Sequence, residues 1–214
     1  MRTVRWLASG LALMALLPSL SAAQAGRLFE DSWFWGAKGG IMSFSTTSGA
    51  SEASPSVGVD WLVTRSKGAL YVSTDLAFFT STSSVPDNTG AQHTVGIHDM
   101  RRYTAAVLAT PVAYGSIHPY GGIGFTLNLI QTVSSTETFT DAGTQQLVAS
   151  RVADQKDRAS FIAMAGAQAQ FQHFSVFGQA TYMPAKTGFL LNGRSTYFVE
   201  AGLRYNVGPA HDDP

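Results

Sequence analysis

Charged side chains are scarce in this chain of 214 residues, at only 13%, so the few with readable spacing carry the argument. His173-Phe174-Ser175 has an H-x-S spacing that would set both side chains on one face of a strand. An imidazole there would withdraw the proton of an attacking serine hydroxyl, but no carboxylate stands nearby in sequence to orient it. A solvated turn histidine is the plainer reading. His93, His118 and His211 fall in predicted loops or the tail without metal-ligand spacing, and there is no cysteine. The "GGIGF" at 121–125 is followed by no helix and so is not a phosphate loop. What remains is a set of six charges, Lys38, Asp60, Asp75, Arg102, Glu200 and Arg204, three of each sign. Isolated in a narrow, poorly hydrated space such groups are costly, so their chemistry is pairing: a hydrogen-bonded ion network.

The elements that must position these charges are strands. Beyond the first 25 residues the chain alternates with period two. In "SWFWGAKGGIMSFST" one face carries Trp33, Trp35, Ala37, Gly39 and Ile41, and the other Phe34, Gly36, Lys38, Gly40 and Met42. Val57, Val59, Trp61 and Val63 oppose Gly58, Asp60, Leu62 and Thr64, and Leu70, Val72, Thr74, Leu76 and Phe78 oppose Tyr71, Ser73, Asp75 and Ala77. Further runs at 101–113, 122–129, 160–171, 175–183 and 196–206 complete eight strands of about ten residues each. Every one of the six charges lies on a face shared with Gly, Ser, Thr or Gln.

The connections between strands alternate in length. Polar loops are expected at 46–54, 81–98, 133–157 and 185–193, and short turns at 65–68, 114–118 and 172–174. One end of the sheet is trimmed and the other elaborated, which is the pattern of an outer-membrane barrel with both termini periplasmic.

Residues 1–25 read as a cleaved export signal: Arg2 and Arg5, an apolar run from Trp6 to Leu17, then Ala23-Gln24-Ala25. Removing it leaves 14 − 2 = 12 basic residues against 14 acidic, a net charge of −2, which argues against a nucleic-acid partner. No later segment is apolar for long enough to cross a membrane as a helix. Residues 26–208 then form one barrel domain, and 209–214 a short tail.

Alternation alone also fits a soluble eight-stranded barrel of the lipocalin kind, holding its apolar face inside around a ligand. Here the polar face is built of small residues, which suit a lumen that eight strands leave only wide enough for side chains. Trp, Leu, Val and Phe suit lipid. The glycines and Lys38 therefore point inward, while Trp33, Trp35 and Ile41 point outward; Gly39 on the outer face is unexplained. Trp33, Trp35, Tyr205, Phe171 and Phe174 fall near one end, and Phe44, Phe78, Tyr103, Phe161, Tyr182 and Tyr197 near the other, as two interfacial belts.

Trp33-Phe34-Trp35-Gly36-Ala37-Lys38-x-Gly40 resembles the first strand of the transmembrane domain of outer-membrane protein A and its small-barrel relatives. "STYFVEAGLRYNV" at 195–207 resembles the aromatic-ended closing strand of that group, although the chain continues through "GPAHDDP". The resemblance covers residues 27–207. It implies an all-β, eight-stranded antiparallel up-and-down transmembrane β-barrel, inserted by the outer-membrane assembly machinery and surrounded by outer-membrane lipids and lipopolysaccharide. It also implies that Lys38 is a lumenal lysine of an ion network. The expected role is structural or surface-interacting, in a monomer without cofactor, with weak small-solute diffusion as a second role. The alternatives are a lipid A-modifying hydrolase using His173 and Ser175, and a soluble periplasmic ligand-binding barrel. A protease of the omptin type has only His98-Asp99 as a hint, and eight strands argue against it.

Overall fold

The computed structural model describes residues 29–49, 51–111, 113–135, 137–139, 141–191 and 194–209. The expected export signal, its cleavage site, His211 and residues 210–214 lie outside these residues. Eight antiparallel strands close on themselves in sequence order: β1 (Ser32–Ser45), β2 (Ser51–Arg65), β3 (Gly68–Pro86), β4 (Gln92–Ala109), β5 (Ile117–Ser135), β6 (Asp157–Phe171), β7 (Phe174–Met183) and β8 (Thr196–Pro209). A helix, α1 (Ala142–Gln155), lies between β5 and β6. Closure is made by β1 against β8, with Lys38 opposite Gly202 and Gly40 opposite Glu200.

Period two decides which side chains face in. Trp35, Val59, Leu127 and Leu203 are exposed on the outer surface, whereas Lys38, Asp60, Asp75 and Arg204 are buried inside. A soluble barrel with a dry apolar centre and polar exterior is the reverse arrangement. The less regular runs at 101–113 and 175–183 obey the same parity: Tyr103 and Val107 face out, Arg102 and Leu108 in, and Val176 and Tyr182 face out, Phe177 and Gln179 in.

Three expectations are corrected. First, the strands are longer than about ten residues, and β3, β4 and β5 reach 19, 18 and 19. About 9–11 tilted residues suffice to cross a bilayer, and these strands are longer than that. The predicted loop 81–98 is mostly a continuation of β3 and β4 around a turn at 87–91, which is shorter than the connection 110–116 at the opposite end. Strict alternation of loop lengths therefore fails there. The cause is that Ser81, Ser83 and Val85 keep inward parity and stay buried, so the ladder continues through residues that look loop-like by composition.

Second, the predicted loop 133–157 contains α1. Asp141 caps it, accepting from Thr144 N–H at 2.7 Å, and Val148 and Val152, four apart, turn toward the barrel's apolar cluster.

Third, the interior is not only small and polar. Phe34, Met42, Leu62, Tyr71, Phe79, Leu108, Ile162 and Phe177 are buried within it. Phe44, expected in the outer belt, is inside with its ring 4.7 Å from that of Phe79. A closed lumen has to be filled at the density of any protein interior, and large side chains fill what small ones leave open.

The β3–β4 ladder shifts register between Ala77 and Thr80, and Asp99 opposite takes φ 51°, re-aiming the upper part of the hairpin. Beyond Ala77, β3 has no strand partner on the β2 side among the described residues. Its edge is satisfied by the β1–β2 turn: Ser84 N–H donates to Thr47 Oγ1 at 2.9 Å, Thr47 donates to Ser84 O at 3.0 Å, and Ser48 donates to Thr82 O at 2.8 Å.

Candidate functional site

The six charges enter the lumen from five strands, and neighbouring glycines make room for them. A Cβ at Gly36 would collide with Asp60 and Arg204, and one at Gly58 with Asp75. At Gly39 nothing in the structure lies closer than Ser56 O at 3.7 Å, so the fold does not demand that glycine.

Register then decides the partners. Lys38 Nζ lies 2.8 Å from Asp75 Oδ1 and 3.1 Å from Glu200 Oε1, and donates to Tyr71 Oη at 2.9 Å. Arg102 Nη2 bridges the same two acids, at 2.9 Å to Asp75 Oδ2 and 2.8 Å to Glu200 Oε1. Arg204 forms a fork with Asp60, Nε to Oδ1 at 3.0 Å and Nη2 to Oδ2 at 2.9 Å. Its Nη1 donates to Gln168 Oε1 at 2.7 Å.

The four-ion cluster and the Asp60–Arg204 pair are joined by amide and phenol groups. Gln179 Nε2 donates to Glu200 Oε2 and to Tyr71 Oη, both at 3.0 Å, while Tyr120 Oη donates to Gln179 Oε1 at 3.1 Å. Aromatic rings cover the guanidinium faces: Arg102 Cζ is 3.5 Å from the Phe198 ring centroid and Arg204 Cζ is 3.7 Å from that of Phe177. All six ions are at most 6% exposed. With three cations against three carboxylates the network is neutral, and its charges meet opposite charges rather than water. Its groups hold one another across the lumen.

The outer surface carries two aromatic groups. Trp33, Trp35, Trp61, Phe174 and Tyr205 gather near the termini, with Trp33–Trp61 centroids 5.4 Å apart and Phe174–Tyr205 5.1 Å apart. Farther up, Phe161 meets Phe125 at 6.0 Å and Tyr197 meets Tyr182 at 5.3 Å, with Phe78 and Tyr103 also exposed.

The fold is shared with a solved structure, Neisserial surface protein A, at a TM-score of 0.54 and 11% identity over 81% of this chain and 96% of that one. The chain has the fold of the small eight-stranded outer-membrane β-barrels. Two other such barrels align less closely: Ail, the attachment invasion locus protein of Yersinia pestis, at a TM-score of 0.49, 10% identity and coverage of 83% and 99%, and OprG from Pseudomonas aeruginosa, at 0.49, 12% and coverage of 84% and 98%. No protein-family model matches the chain, and no curated protein matches it.

The barrel separates the residues that suggested catalysis. His173 lies in the β6–β7 turn, its ring stacked 6.2 Å from that of outward-facing Tyr205, while Ser175 is buried inside and bonded to Gln168 at 2.8 Å. The H-x-S spacing does not place them on one face, because the turn ends before the strand begins. His98 pairs with Thr80 at 3.0 Å, and Asp99 instead accepts Phe79 N–H at 3.1 Å across the register shift. Sequence reasoning missed Tyr71, Tyr120, Gln168, Gln179, Phe177 and Phe198 as members of the network. Their inward parity was readable, but contact across the lumen depends on strand register and tilt.

Proposed function

We propose that this barrel resides in the bacterial outer membrane as a sealed structural or surface-interaction protein, with both termini periplasmic and α1 outward. Trp33, Trp35 and Tyr205 would lie at one lipid interface, and Phe78, Phe161 and Tyr197 at the other, with lipid and lipopolysaccharide around a monomer. The observation that carries the reading is the neutral network of Lys38, Asp60, Asp75, Arg102, Glu200 and Arg204 spanning the lumen beneath an outer surface of exposed apolar side chains. Nearer the α1 end a second filling supports it: Phe189, Leu190 and Leu191 fold inward, and Ser83 Oγ donates to Leu190 O at 2.7 Å. A lumen filled twice favours holding shape and presenting a surface over passing solutes. In planar bilayers the protein should show no stable channel, and Lys38→Met should leave that baseline unchanged. A large rise in conductance on that substitution would point to a gated solute path instead.

A further inference from the structure

A second ion cluster lies apart from the lumen, near the tip of the β3–β4 hairpin and well beyond Phe78 and Tyr103. His93, opposite Val85, turns its two ring nitrogens to two different carboxylates. Nδ1 is 2.9 Å from Glu137 Oε2, and Nε2 is 3.4 Å from Asp87 Oδ2. Other bonds hold both acids in place. Asp87 Oδ1 accepts the Thr89 hydroxyl at 2.7 Å, Thr89 N–H at 2.8 Å and Ala91 N–H at 2.9 Å, and Glu137 Oε1 accepts Thr94 N–H at 2.7 Å.

A neutral imidazole has one N–H and one lone pair, so it satisfies one carboxylate and turns its lone pair on the other. Imidazolium donates to both. Because the carboxylates approach opposite nitrogens, the three groups do not converge on one metal ion.

The cluster joins two parts of the chain. Asp87 belongs to the hairpin turn, and Glu137 to the segment leading into α1. Phe139 in that segment lies 5.3 Å from the His93 ring and packs, with Val133 and Val152, on the buried apolar cluster. Arg151 of α1 also reaches the turn, where its Nη2 donates to Asn88 Oδ1 at 3.2 Å. Among the described residues, Asp87 and Glu137 are the charged groups bonded to the ring.

We propose that His93, Asp87 and Glu137 form a clasp that fastens the α1 segment to the β3–β4 hairpin while His93 is protonated, and loosens it as the proton leaves. The hydrogen bond to Glu137, and then the one to Asp87, holds the His93 pKa above its ordinary value. Thr89 above all holds Asp87 down to about 2, and Thr94 N–H, followed by His93, holds Glu137 below the usual carboxylate range.

A histidine whose folded pKa is raised contributes fully below its unfolded pKa, and the contribution is lost as pH rises through the folded value. The two acids behave oppositely: their contribution is lost only as pH falls through their lowered values. The clasp is therefore closed in mild acid and opens on the alkaline side. It does not depend on which face of the membrane α1 occupies.

The test uses the whole barrel in lipid nanodiscs, with hydrogen exchange of residues 137–155 corrected for intrinsic rates at about pH 5.5 and about pH 8.5. Opening should be about two- to tenfold faster at the higher pH, and His93 should titrate above about 6.5 by NMR. His93→Gln should exchange at the fast rate at both pH values. Glu137→Gln should bring the His93 titration back toward the free value. A His93 that titrates at or below that value, or exchange that is equal at the two pH values in the unaltered protein, overturns the proposal.

Discussion

At the height of Lys38 and Arg204 the lumen is filled by charge: three cations and three carboxylates, each bonded to its opposite and closed over by Phe177 and Phe198. Toward the α1 end the same wall holds Val85, Val95, Ile97 and Ile130 in one apolar cluster with Phe189, Leu190 and Leu191. One tube is thus closed by two chemistries. Apolar packing degrades in proportion to the volume lost. An ion network fails differently, since removing one member leaves its partner buried and unpaired. Parts that look equally packed should therefore respond unequally to a single truncation.

The largest effect is expected in the ionic part. Arg204→Met strands the Asp60 carboxylate, and urea unfolding from lipid vesicles should show a loss of about 3–5 kcal/mol. Adding Asp60→Asn should recover much of that loss. If the double variant is no more stable than the single one, the two fillings do not differ in kind. In the apolar part, Leu190→Ala should cost about 2–5 kcal/mol. A second apolar truncation, Ile162→Ala, should lower stability further rather than compensate. The smallest effect belongs to the wall. Thr47→Val removes the hydroxyl that caps the β3 edge at Ser84 and should cost about 1 kcal/mol, seen as faster exchange at Ser84 N–H.

How far these parts were readable beforehand differs in the same way. The charged part announced itself, because Lys38 with Gly36 and Gly40 on one face of an aromatic strand segment makes sense where that face is narrow and turned inward. The apolar part did not. "AKTGFLLNG" reads as one more polar loop, and three apolar residues in a row have no period to interpret. Only the open mouth of the barrel makes burying Phe189, Leu190 and Leu191 favourable. Likewise the Ser/Thr-rich stretch at 81–98 has loop composition, yet Val85, Val95 and Ile97 hold inward positions in a continuing ladder. For α1, the signals were an Asp141 cap and the Val148/Val152 pair, but a helix so weakly amphipathic needs a neighbouring surface to favour it.

By itself the sequence determined strand number and the inward or outward aim of most strand side chains, the six charges among them. These are local consequences of period two, because successive side chains on an extended backbone must point to opposite faces. Tertiary structure alone decided which cation meets which carboxylate, how far β3 to β5 rise, and what fills the α1 end. Those outcomes depend on register and on closure of β1 against β8, which bring together residues far apart in the chain.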